Sequence, residues 1–179
     1  FSNSGSLDSS TGKMVAGQGQ AGEIKVAAAD LISLSSGSII SSSTVEGSGG
    51  MVSVTTPATL KMDESSISAM TAGDGNAGKI TLDVGIIELT NGAQLISESG
   101  FQDGFGNVFV GTGDAGTITV TAAHSVSLSS LSRITSSTGG EGRAGNIIVT
   151  AGGPISISDS SNLEQVRTAI FTNTSGKGD

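Results

Sequence analysis

The sequence predicts an all-β fold: a right-handed parallel β-helix of about five coils, three short strands to a coil, with extra residues inserted at some corners. Three observations predict it. The first is a phrase, Ala115-Gly116-Thr117-Ile118-Thr119-Val120, with near-copies starting at Ala21, Gly49, Ala77 and Ala144. Its first apolar residue falls at 24, 52, 80, 118 and 147, giving steps of 28, 28, 38 and 29 residues, and a fixed period of this size marks a solenoid, a propeller or an array. The second is residue type: the recurring runs are rich in Ile, Val, Ser, Thr and Gly and lack the i, i+3, i+4, i+7 spacing of a helical repeat. The third is that aromatics make up 3% of the chain, with no Trp or Tyr, whereas a propeller blade needs four strands and an aromatic signature.

Each repeat resolves into three runs. In the first, Ile24 and Val26, Val52 and Val54, Ile80 and Leu82, Ile118 and Val120, and Ile147 and Val149 point to one face with period two. The second run is Ile32-Ser33-Leu34, then Leu60-Lys61-Met62, Ile87-Glu88-Leu89, Val126-Ser127-Leu128 and Ile155-Ser156-Ile157. The third centres on Ile40, Ile67, Ile134 and Ile170, each four residues before a threonine (Thr44, Thr71, Thr138, Thr174), while the third repeat offers Leu95 and Ile96 without a matching threonine. Parallel strands of successive coils, about 4.8 Å apart, would set Ile24, Val52, Ile80, Ile118 and Ile147 in one inward ladder. Each buried Val, Leu or Ile contributes roughly 1.5–3 kcal/mol, so the array is stable where a single coil is not. Gly22, Gly50, Gly78, Gly116 and Gly145 stand at the corner opening each coil, where either positive φ or tight approach between coils excludes a Cβ. Pro57 and Pro154 fall at corners, where no ladder donor is needed.

At 179 residues the chain has about the length of one domain, expected to be a single segment over 1–179. Eight Lys and Arg against 16 Asp and Glu give a net charge of −8, a balance that repels nucleic acid and anionic lipid. There is no cysteine, hence no disulfide framework, thiolate nucleophile or zinc–cysteine site. No run approaches the length of a membrane span, so no membrane insertion is expected. The first residue is Phe1, and an export signal is expected outside this stretch.

Departures from the period are the candidate functional places. Residues 97–114 add about ten residues before the next opening phrase, and 2–20 align with them: Ser2, Ser4, Gly5 and Asp8 match Ser97, Ser99, Gly100 and Asp103. A third insertion covers 158–169, with Leu163, Glu164 and Val166. Phe101, Asp103, Phe105 and Asn107 form the candidate binding loop, where aromatic rings among polar residues suit stacking on a sugar or contact with a protein. The plainer reading, which the sequence favours, tucks Phe109 under the corner as a counterpart of Val15 and uses the other rings to cap the tube. Asp74, Asp103, Asp114 and Asp179 sit among glycines and are candidate calcium ligands. The calcium-roll nonapeptide is absent, however, and turn-forming Asp is the commoner use, so no cofactor or metal is predicted and calcium is the lesser alternative. His124 stands alone at a corner. Arg133, Arg143 and Arg167 occupy unrelated positions and no carboxylate recurs at one outward position in adjacent repeats. The paired acid/base groups of a polysaccharide-cleaving β-helix are therefore not legible.

The phrases Ala144-Gly145-Asn146-Ile147-Ile148-Val149-Thr150-Ala151, Leu34-Ser35-Ser36-Gly37-Ser38-Ile39-Ile40 and Ile134-Thr135-Ser136-Ser137-Thr138-Gly139 resemble the repeats of filamentous-haemagglutinin-type exoproteins, the secreted partners of two-partner secretion, especially cyanobacterial members. The resemblance implies a β-helical shaft, extracellular or cell-surface location, export through an outer-membrane transporter acting on the parent chain, and an adhesive or structural role. The function expected is a non-catalytic shaft that contacts surface glycans or proteins; the alternative is a β-helix that binds or degrades polysaccharide. Phe1 aligns with Ile96, and Gly176-Lys177-Gly178-Asp179 aligns with Gly111-Thr112-Gly113-Asp114. Both ends are thus expected to present unpaired strand edges to an adjoining coil or to another copy of the chain.

Overall fold

A computed structural model describes residues 6–8, 19–45, 47–102, 108–159 and 167–174, with backbone alone at 6–8, 101–102 and 108–109. Among the described residues there is no helix; the chain is all-β. Its strands in order are β1 (Ser6–Asp8), β2 (Glu23–Ala27), β3 (Ile32–Ser35), β4 (Ile39–Ser41), β5 (Met51–Asp63), β6 (Ser66–Ser68), β7 (Lys79–Thr90) and β8 (Gln94–Ser99). There follow β9 (Phe101–Gln102), β10 (Val108–Phe109), β11 (Ile118–Ser129), β12 (Arg133–Thr138), β13 (Ile147–Ala151), β14 (Ile155–Ser158) and β15 (Ala169–Thr174).

Two parallel sheets account for all of these except β9 and β10, which pair antiparallel. One sheet runs β13-β11-β7-β5-β2, with β14 also pairing with β11 and β3 with β5; the other runs β1-β4-β6-β8-β12-β15. In each ladder a residue faces its counterpart one repeat along. Ile24 faces Val52, Val52 faces Ile80, Ile80 faces Ile118, and Ile118 faces Ile147. The second row is Ile32, Leu60, Ile87, Val126 and Ile155; the other sheet supplies Ile40, Ile67, Leu95, Ile134 and Ile170. Period-two alternation puts these rows on the inner faces, and the two sheets share one buried apolar cluster that includes Val52, Ile80, Ile118, Ile67 and Leu95.

Three details differ from the sequence reading. The first and second runs are not separate short strands in the middle repeats; they join as β5, β7 and β11, continuous strands that change register at Pro57, Gly85 and Ala123–His124. The intervening corner is only a bulge, so the ladder resumes at once on its far side, and Pro57 sits inside that bulge, where it withholds no ladder donor. The missing threonine of the third repeat is replaced by Ser99, which faces Thr71 on one side and Thr138 on the other. The alignment of residues 2–22 with 97–116 is displaced. The strand β1 lies within the stretch read as an insertion and sets Leu7 against Ile40, so Leu7 is fifteen residues before Gly22, where Ile40 is ten before Gly50 and Leu95 is twenty-one before Gly116. A three-residue strand with one apolar residue carries too little periodicity to fix its own register. Beyond the third insertion the third run falls where the sequence puts it: Ile170 faces Ile134 and Thr174 faces Thr138.

Of the two reasons offered for the opening glycines, close approach is the operative one. Positive φ among described glycines occurs at Gly37, Gly92 and Gly100, not in the opening phrase. A Cβ on Gly50, Gly78, Gly116 or Gly145 would instead collide with the carbonyl oxygen of Gly22, Gly50, Gly78 or Gly116 respectively. Serine hydroxyls fill the remaining space: Ser42 Oγ donates to the Gly22 carbonyl at 2.5 Å, Ser97 Oγ to Gly78 at 2.7 Å and Ser136 Oγ to Gly116 at 2.6 Å. These serines are fully buried, and the bonds satisfy groups that would otherwise be stranded away from water.

Two alanine substitutions separate the two uses of glycine. Gly92 has φ +77° with open space where a Cβ would go, so Gly92→Ala is expected to cost about 1–2 kcal/mol from backbone conformation alone. Gly116→Ala forces Cβ against the Gly78 carbonyl and Ser97 Oγ and is expected to cost about 3 kcal/mol or more. Urea unfolding of both variants measures the difference; equal costs would contradict the close-approach account.

Candidate functional site

The extended corner upstream of Ile118 is built on an anchored base. Ser97 and Ser99 point inward on β8 and are fully buried, with Glu98 between them on the outer side. Ser97 Oγ, besides donating to Gly78, accepts the Gly116 N–H at 3.1 Å, which ties together the points where the chain leaves the repeat and returns to it. Gly100 N–H donates to the Thr71 carbonyl at 2.8 Å, and at φ +70° Gly100 turns the chain outward. The corner then continues as a short antiparallel hairpin in which Gln102 faces Val108 and Phe101 faces Phe109. Phe101 of the candidate loop therefore lies on β9 with Phe109 as its cross-strand partner, while Asp103, Phe105 and Asn107 lie outside the described residues, as do Val15 and Leu163.

On the returning side Val110 is exposed and the polar residues bind neighbouring repeats. Thr112 Oγ1 donates to Asp74 Oδ1 at 2.9 Å; the Asp114 N–H donates to Asn76 Oδ1 at 2.9 Å; and the Arg143 N–H donates to Asp114 Oδ1 at 2.8 Å. Two of the four aspartates considered for calcium, Asp74 and Asp114, thus accept hydrogen bonds across the corner; Asp103 and Asp179 lie outside the described residues. Among the described residues no group of three or more His, Asp or Glu side chains is placed to hold a metal ion. His124 is exposed at the bulge between the two halves of β11. Gly22, Gly50, Gly78, Gly116 and Gly145 and the row from Ile24 to Ile147 occupy the positions described above and act in packing.

The sequence did not single out Glu98. It faces Ser137 across the β8–β12 ladder, and Thr135 Oγ1 donates to its Oε1 at 3.4 Å while also sharing a hydrogen bond with Ser137 Oγ at 2.9 Å. Burial raises the Glu98 carboxyl above the ordinary glutamate range, opposed by the Thr135 hydrogen bond and by the charge of Arg133. The signal available in the sequence was a lone acidic residue between two inward serines at the foot of the largest insertion, and nothing in residue spacing distinguishes that from a solvated outer position. No family model, curated protein or solved structure matches this chain.

A raised carboxyl pKa means that the folded chain holds the proton more tightly than the unfolded one. The stabilisation by Glu98 is therefore complete below the unfolded-state value of about 4.3 and is lost as pH rises through the higher folded-state value. Glu98→Gln is expected to gain stability relative to the native chain as pH increases through that window, measured as urea midpoints from pH 4 to pH 7. Parallel curves for the two proteins would contradict the burial of this carboxyl.

Proposed function

We propose that the two sheets are faces of a right-handed parallel β-helix, and that this β-helix is a non-catalytic shaft segment of an extracellular or cell-surface protein of the filamentous-haemagglutinin type that its repeats resemble. The observation that carries the reading is the pairing of each inward residue with its own counterpart one repeat along, in parallel, on both sheets at once. Right-handed crossovers are the strong preference of parallel strands. A construction in which every repeat buries the next suits length and stiffness rather than a single deep active site. Three of the described carboxylates support a structural use: Asp63 accepts from Asn91 Nδ2 at 2.7 Å, and Asp74 and Asp114 accept from Thr112 and Arg143. Export through an outer-membrane transporter and adhesion to surface glycans or proteins belong to the same resemblance.

The edges of the described structure would pair with adjoining coils of a longer chain or, end to end, with another copy of this one. Among the described residues, β13 and β14 have β11 as their only neighbour and β15 has β12. Ile155 and Ile157 are each 49% exposed, although Val126 and Leu128, which they face in register, are at 1%. An apolar inward row that ends half exposed beside unpaired strand edges is a template for further parallel pairing. Light scattering of the purified chain is expected to show elongated species that grow with concentration and disappear in the variant carrying Ile155→Lys and Ile157→Lys. A native chain that stays monomeric at high concentration would contradict this association. Incubation with a panel of polysaccharides is expected to release no product; turnover abolished by one acidic substitution would overturn the non-catalytic reading.

A further inference from the structure

The corner between the second and third runs holds three residues in most repeats: Ser36-Gly37-Ser38, Asn91-Gly92-Ala93 and Ser130-Leu131-Ser132. The repeat between the first two of these has only Glu64-Ser65, because Asp63 pairs with Ser35 and Thr90 while Ser66 pairs with Ile39 and Gln94. The middle residue is the one lost. Its absence breaks the ladder that runs up this corner: Gly37 N–H donates to the Glu64 carbonyl at 2.7 Å and Gly92 N–H to the Ser130 carbonyl at 2.8 Å, while among the described residues the Asn91 carbonyl receives no such donor. It also leaves a groove of about 250 Å³. The residues above and below the gap are Gly37 and Gly92, with no side chains to fill it, and nothing lies within 4 Å of the place a Gly92 Cβ would take.

We infer that this notch is a binding site for one neutral, hydroxyl-rich sugar ring. Five polar side chains border it: Ser38 and Ser65 donate to the Ser35 and Leu34 carbonyls, while those of Glu64, Ser66 and Gln94 make no hydrogen bond within the described structure. Together these last three offer a carboxylate acceptor, a hydroxyl and an amide that both donates and accepts, the mixture that vicinal hydroxyls require. Ile39, 43% exposed, supplies an apolar edge for the C–H face of a ring. The volume suits a single ring rather than an oligosaccharide, since sites for drug-sized ligands start at about 300 Å³. Glu64 and the net charge of −8 disfavour an acidic sugar. The site stands on corner length alone and does not depend on the shaft reading.

The test is a titration of the isotope-labelled chain followed by amide NMR shifts, with methyl α-glucoside, methyl α-galactoside, methyl α-mannoside and N-acetylglucosamine as neutral probes and glucuronate as the acidic one. At least one neutral sugar is expected to give saturable shifts centred on Gly37, Ser66, Gly92 and Gln94, with a Kd of millimolar order given so few contacts, and glucuronate is expected to bind more weakly. Inserting one glycine between Glu64 and Ser65 restores the three-residue corner and is expected to abolish those shifts. If the insertion unfolds the chain, Gln94→Ala carries the same expectation. Absence of saturable shifts with every neutral sugar, shifts that survive closure of the notch, or tighter binding of glucuronate would each overturn the assignment. Neither light scattering nor a polysaccharide assay bears on this result, so it can fail or succeed separately from the shaft proposal.

Discussion

The structure depends on how closely the carbonyl oxygen of one opening glycine approaches the α-carbon of the next. At Gly50, Gly78, Gly116 and Gly145 the space for a Cβ is already occupied by backbone from the preceding repeat. Only glycine allows the first strands to reach the spacing of a parallel ladder at this corner. Once that spacing is set, each row falls into register, and the buried hydroxyls of Ser42, Ser97 and Ser136 bond to the glycine carbonyls beside them. A composition that is poor in aromatics and rich in serine and glycine follows from this constraint. The interior is thin, so branched aliphatic residues fill it, and hydroxyls reach backbone oxygens that larger polar side chains would overshoot.

Such an arrangement tolerates insertions at corners and punishes changes within rows. Ten additional residues leave at Ser97 and return at Gly116 without disturbing the Ile80–Ile118 pairing, because the Ser97 hydroxyl ties the two ends together. Conversely, removal of one residue at the Glu64 corner does not collapse the ladder on either side; it leaves a notch. Insertion and deletion at corners are thus the means by which a repetitive chain of this kind acquires local surface features, and both occur here.

The inward rows were legible in the sequence because period-two alternation of Ile, Val and Leu is strong and recurs at a nearly constant step. The rows from Ile24 to Ile147 and from Ile32 to Ile155 need nothing beyond that pattern. Where one apolar residue carried the signal, as with Leu7, the register was displaced; where a serine did the work of a threonine, as at Ser99, the equivalence was missed because the shared chemistry is a hydroxyl donor rather than a residue type. The joining of two runs into β5, β7 and β11 was hidden because Pro57 and Gly85 look like breaks in one dimension and are bulges in three. Of the candidate site, the position of the extended corner was legible. The environment of Glu98 was not, since burial of an outward carboxylate is set by what packs around it. The notch was present in the sequence only as a corner one residue short, a difference that acquires meaning when the neighbouring corners are placed on either side of it.

The shaft proposal rests on the rows being consecutive levels of one structure. Because the chain has no cysteine, two spin labels can be attached at chosen positions. Lys25, Ser53, Thr81, Thr119 and Ile148 form one outward row across five repeats. Labels on Lys25→Cys and Ile148→Cys are therefore four strand spacings apart, about 19 Å. A single narrow distance distribution near that value is the predicted result. A broad distribution, or a mean well beyond 30 Å after allowance for the label arms, roughly six or more strand spacings, would contradict the in-register account on which everything else depends.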